Sequence, residues 1–154
     1  YKGNAFMYLC KMTNQQIIDT MNQKRSGTLM ETLDIQYTSM DKDILRGKMP
    51  VSPKHLQPAG ILHGGATLSL AETIGSAASN VFIDNPSEYI AVGQEIAANH
   101  LKSISGGYVY AEAKFLHKGR SSHVLEIRVT DDDEKLISFV KMTNVIISRK
   151  KRNK

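Results

Sequence analysis

From Gly64 to Ile83 the chain runs for twenty residues with a single charged side chain, Glu72. Ala66, Leu70, Thr73, Ala77 and Val81 recur at helical spacing on one face, and Ala71, Ile74 and Ala78 on another. A helix that is apolar on nearly every side must be buried. Whatever the rest of the chain builds therefore has to cover it. Asp84-Asn85-Pro86 ends the helix. Four strand-like runs follow, over Ile90–Leu101, Tyr108–Lys118, His123–Asp131 and Leu136–Ser148. Turn-rich breaks separate these runs, at Ser105-Gly106-Gly107, Gly119-Arg120-Ser121 and Asp131–Glu134, and short breaks join antiparallel neighbours.

Upstream, Ile17, Ile18 and Met21 mark a short helix over Asn14–Asn22. Leu33, Ile35 and Tyr37 alternate as a strand, with a hairpin partner over Ile44–Met49. Ser52 to Gly60 holds two prolines and reads as a loop. One buried helix and about six antiparallel strands define an α+β fold, a sheet wrapped around a central helix. At 154 residues the chain is one domain, over 13–148, with a mobile N-terminal extension over 1–12 and a basic disordered tail over 149–154. No internal repeat is evident.

The formal net charge of +5 sits wholly in that tail. Removing Arg149, Lys150, Lys151, Arg152 and Lys154 leaves fifteen basic residues against fifteen acidic ones. A neutral body argues against a nucleic-acid partner, which would call for a basic folded face. No apolar run reaches the ~20 residues of a membrane span, so no membrane partner is expected. One cysteine, Cys10, permits no internal disulfide and fits a reducing cytoplasm. The five histidines show no metal-ligand spacing, so no metal is expected. Gly-x-Ser-x-Gly, Gly-x-Gly-x-x-Gly and Walker patterns are all missing.

The chemistry concentrates where the loop meets the long helix, in Gln57-Pro58-Ala59-Gly60-Ile61-Leu62-His63-Gly64-Gly65. Glycines at a helix start let a ligand approach bare backbone N–H groups. Those donors lie at the positive end of the helix dipole and suit a carbonyl oxygen that gains negative charge. Glu72 follows on the same helix, and apolar surroundings strengthen a carboxylate as a base. An oxyanion site and a base on one helix point to acyl chemistry. Nine residues separate His63 from Glu72, roughly 180° around the helix and about 13 Å along it. If both are catalytic, one site takes His63 from one subunit and Glu72 from another.

The run Gly60-Ile61-Leu62-His63-Gly64-Gly65-Ala66, continuing to Leu70-Ala71-Glu72-Thr73 and Gly75-Ser76, resembles the signature of hotdog-fold acyl-CoA thioesterases. The similarity is to the phenylacetate-pathway and enterobactin-pathway thioesterase group and extends from about Leu33 to Ile147. It implies hydrolysis of an aromatic or small-to-medium acyl-CoA to a carboxylic acid and free coenzyme A, with no cofactor. It also implies a homodimer with shared active sites, assembled as a dimer of dimers. The acid matching Glu72 is the nucleophile or the general base, and the sequence leaves both roles open. Gly64 would offer its N–H to the thioester oxygen, and His63 would bond the thioester.

Gln57 would orient the same carbonyl or the water; alternatively it is an ordinary loop glutamine. Ser76, one turn after Glu72, would hold the carboxylate or the water, or is simply a small packing residue. His100, Lys102 and Arg120 are candidates for the coenzyme A phosphates. Ala97 departs from the group, which often has asparagine there, and this bears on the acyl contact. Two other readings stay open: a non-catalytic acyl-CoA-binding hotdog protein and, ranked last, a hotdog dehydratase.

Overall fold

The computed structural model describes residues 12–149. Cys10 and the tail residues beyond Arg149 lie outside the described residues. The elements are α1 (Asn14–Gln23), α2 (Leu29–Thr32), β1 (Gln36–Asp41), β2 (Ile44–Pro50), α3 (Gly64–Val81), β3 (Tyr89–His100), β4 (Tyr108–Lys118), β5 (Ser122–Thr130) and β6 (Leu136–Ser148). The strands form one antiparallel sheet in the order β1-β2-β4-β5-β6-β3, so β3 and β4, expected as neighbours across Ser105-Gly106-Gly107, are not paired: β3 pairs with β6, and β4 lies between β2 and β5.

Helix α3 lies on one face of this sheet. Its Leu70, Ala71, Ile74 and Ala78 are fully buried against Leu45, Met49, Val109, Ala113, Leu125, Ile127, Val140 and Met142. In β2 and β5 buried residues alternate with half-buried or exposed ones, the period-2 pattern of a sheet covered on one side. The uncovered face carries charge, as in the Arg46–Glu112 ion pair between β2 and β4.

The expected strand through Leu33, Ile35 and Tyr37 is corrected at its start. Leu33 is the C-cap of the one-turn helix α2, and Asp34 turns with a φ of 52°. Only Tyr37 of the three lies in β1. Alternation across a tight turn imitates a strand when the turn is one residue long. The β1–β2 hairpin turns on Lys42 and Asp43, both at positive φ, as a two-residue turn requires.

The two edges of the sheet are treated differently. On β1 the Asn22 side chain donates to the Tyr37 carbonyl and accepts from its N–H, and Asn14 donates to the Met40 carbonyl. Helix α1 thereby supplies part of the pairing that a neighbouring strand would make. On β3 the Asn80 amide of α3 does the same for Ala91 alone. Beyond Ala91 the outer edge of β3 has no partner among the described residues, and Val92 and Tyr89 are exposed beside it. An unpaired edge of this length is a template for another strand.

Arg149, assigned to the tail from sequence, is hydrogen-bonded through its N–H to the Glu88 carbonyl, and its guanidinium donates to the carbonyls of Pro86 and Tyr89.

A buried histidine at the far end of the sheet makes stability depend on pH. His123 is 2% exposed, packs edge-on against Phe115, and its Nδ1 has no partner among the described residues. Burial, reinforced by the Lys118 charge, lowers its pKa from the ordinary value of 6.5. The unfolded chain therefore takes up this proton at a higher pH than the folded one. The folded state keeps its full advantage above about 6.5 and loses it as pH falls toward the lowered value. Melting temperature measured from pH 7 down to pH 5 should fall more steeply for the wild type than for His123→Leu. Equal slopes would remove His123 as the cause.

Candidate active site

The turn that presents the site is fixed by a buried histidine. His55 is 1% exposed; its Nδ1 accepts from Ser52 and its Nε2 donates to the Leu33 carbonyl. The carbonyl of His55 accepts the His63 N–H at 2.9 Å, which sets the approach of the chain to α3. His63 is the N-cap of that helix, and its Nδ1 accepts the Gly65 N–H at 2.8 Å. The N–H groups of Ala66 and Thr67 go to the His63 carbonyl. Gly64 is left as the one first-turn residue whose N–H has no partner among the described residues. It is the donor nearest the positive end of the dipole.

Gly64 opens on a cavity of about 410 Å³ that Gln57, Thr67, His100, Lys102 and Ser138 also line. A Cβ at Gly64 would stand 2.7 Å from His100 Nε2. Glycine is required here for the imidazole's approach, not for a turn, since Gly64 has no positive φ. The Gln57 side-chain amide has no protein partner among the described residues, while its backbone closes the turn with Gly60 and Ile61. Lys102 reaches the cavity mouth with its ammonium held by Asp131 at 3.0 Å. Asp131 has its own pKa lowered by that lysine and by the backbone N–H groups of Lys135 and Asp133, against the opposing effect of burial.

Glu72 is not in this cavity. Its carboxylate accepts from Ser76 Oγ at 2.8 Å and lies against β3 at Gly93, where a Cβ would stand 2.5 Å from Oε1. Gly93 coincides with a β-bulge, so the strand both bends and makes room for the carboxylate. Strand β3 runs antiparallel to α3, with His100 beside Gly64, Gly93 beside Glu72 and Ala91 beside Asn80. The structure thus joins Gln57, Gly64, His100 and Lys102 in one group, and Glu72 with Ser76 in a second group along the open edge.

His63 adjoins the first group, but its ring turns back to cap the helix. Arg120 belongs to neither group. It lines a separate cavity of about 150 Å³ with Asp84, Glu88 and His123, beyond the C-terminal end of α3. Sequence reasoning missed Ser138, which is 0% exposed and bonded to His100, and Gly93. The one signal for Ser138 is a hydroxyl in a strand whose neighbours Ile137 and Val140 are core residues.

A sheet of six antiparallel strands covering one long helix is the hotdog architecture, and the candidate cavity lies where the N-terminus of that helix meets the sheet. Residues 59–138 match the thioesterase superfamily. The proofreading thioesterase EntH of Cronobacter turicensis is 40% identical over 115 residues, 75% of this chain and 82% of that one. The 1,4-dihydroxy-2-naphthoyl-CoA hydrolase of Escherichia coli is 35% identical over 130 residues, 84% of this chain and 94% of that one. The crystal structure of a mutant of thioesterase PA1618 from Pseudomonas aeruginosa superposes with a TM-score of 0.83 at 36% identity, covering 86% of this chain and 94% of that one. Thioesterase HI1161 from Haemophilus influenzae gives a TM-score of 0.83 at 31% identity, over 93% and 96%. The chain belongs to the thioesterase superfamily, a family of thioester hydrolases. No helix among the described residues is long and apolar enough to cross a membrane.

Proposed function

We propose that this protein hydrolyses an acyl-CoA thioester to a carboxylic acid and free coenzyme A. The observation that carries this reading is the unpartnered Gly64 N–H at the start of α3, facing a cavity beside Gln57 and His100. A thioester carbonyl oxygen set on that N–H is polarised by the donor and by the helix dipole behind it. Charge grows on that oxygen as the carbonyl carbon becomes tetrahedral, so the interaction strengthens toward the transition state. The Gln57 amide orients the carbonyl or the attacking water. His63, with Nδ1 engaged as an acceptor, presents Nε2–H as a donor when neutral.

The carboxylate comes from a second copy. Two β3 edges that pair antiparallel about a two-fold axis bring the His100 end of one strand toward the Gly93 segment of the other. Glu72 of the partner subunit then faces the cavity that lacks it. It attacks the carbonyl carbon or takes a proton from water, while its Ser76 holds one carboxylate oxygen. Arg120 lies at the β3-start end of the chain, so the same pairing carries Arg120 of the partner subunit toward the coenzyme end of the site. His100 and Lys102 lie there already, and the pairs of this dimer assemble as a dimer of dimers.

The naphthoyl-CoA named for one relative supports an aromatic acyl group. A panel of aromatic and aliphatic acyl-CoA thioesters, followed by release of free thiol, tests the reading. Turnover of at least one aromatic member is expected. Tight binding of acyl-CoA without thiol release across the panel would favour a non-catalytic acyl-CoA-binding protein.

A further inference from the structure

Ser138 carries an obligation that the catalytic reading leaves unused. Its side chain is fully buried on β6, and among the described residues its hydroxyl meets one partner, His100 Nδ1, at 2.8 Å. A hydroxyl has one hydrogen to place, and leaving it without an acceptor in a buried position costs free energy. If His100 carried its proton on Nδ1, that nitrogen would donate to Oγ and the hydroxyl hydrogen would have no acceptor. If Nδ1 is bare, Ser138 donates to it and the pair is satisfied. The neutral imidazole then holds its hydrogen on Nε2. Nε2 is the atom that lies against Gly64, where a Cβ would stand 2.7 Å away.

We propose that Ser138 is a positioning residue for thioester hydrolysis: it fixes His100 as an Nε2–H donor beside the Gly64 N–H, so that two donors face the thioester carbonyl oxygen. This rests on the thioesterase reading above, and it gives His100 a place at the thioester in addition to the phosphate role inferred from sequence. Both donors are held before substrate arrives, one by the helix and one by the Ser138 hydroxyl. Neither has to reorganise as the oxygen becomes negative.

The test compares Ser138→Ala and Ser138→Thr in the full chain, with an acyl-CoA that the wild type hydrolyses and the same acyl group on N-acetylcysteamine, which has no phosphates. Ser138→Ala is expected to lose roughly tenfold in kcat on both thioesters, with little change in KM. Ser138→Thr, which keeps the hydroxyl, is expected to recover most of that loss. A loss confined to KM for the coenzyme A thioester would assign His100 to the phosphates and overturn the proposal, as would unchanged kinetics.

A second measurement stands apart from the variants. Long-range ¹⁵N–¹H imidazole spectra of the wild type are expected to report His100 protonated on Nε2 with Nδ1 bare, and protonation on Nδ1 would overturn the arrangement. A wild type that hydrolyses no thioester would remove the thioesterase reading, and the tautomer would still decide the Ser138–His100 pair.

Discussion

Glu72→Gln should lower kcat by about two orders of magnitude or more, the range for losing a general base or nucleophile. The fold should stay intact, because Glu72 is only half-buried and takes no part in the apolar core of α3. Glutamine has the same shape, and its Oε1 can still accept from Ser76 in the space that Gly93 leaves. What disappears is the charge and the ability to take a proton or attack a carbon. Purified variant and wild type, compared on one acyl-CoA with melting curves alongside, give the answer. Near-normal turnover by a folded Glu72→Gln protein would end the assignment of Glu72. A pre-steady-state burst of free thiol by the wild type would favour the nucleophile role over the base, since an acyl-enzyme releases coenzyme A before water enters.

What could be read from the sequence followed from short-range rules. The apolar period of Leu70, Ile74 and Ala78 gave α3, and strands β3 to β6 lie within one residue of their expected ends. Asn14 and Asn22 gave no such signal. Their amides act across more than ten residues to pair with β1, and nothing in local periodicity distinguishes such an asparagine from a turn former.

Gly64 shows the same limit at the site. A glycine after histidine suggests a tight turn, but the backbone there is ordinary, and the need for glycine comes from His100, thirty-six residues away. Ser138 is hidden for the same reason, since its one partner belongs to a neighbouring strand. Arg120 and Lys102 looked equivalent as rim cations, yet the sheet places them at opposite ends of one chain. Residue types and helical angles were legible; the approach of residues distant in sequence was not.

The division of the site into two groups leads to the prediction that depends most on assembly. A protein carrying Glu72→Gln keeps Gln57, His63 and Gly64 in both chains, and lacks the carboxylate. A second protein, His63→Asn, keeps the carboxylate and loses the imidazole. Asparagine is the better choice than alanine, because the His63 ring caps α3 and asparagine is itself a strong N-cap, whereas alanine costs about 1 kcal/mol there. Each protein alone should be nearly inactive.

Mixed under conditions that exchange subunits, they should recover activity. In a heterodimer one site receives both lesions and the other receives neither. Random exchange makes about half the dimers mixed, so recovery should approach about a quarter of the wild-type rate for isologous pairing. The measurement is thiol release before and after exchange, with exchange itself followed by mass spectrometry of differently labelled chains. Full exchange without recovered activity would mean that Glu72 serves a site in its own chain. The helix would then have to bend sharply between His63 and Glu72, because a straight one holds them about 13 Å apart along its axis.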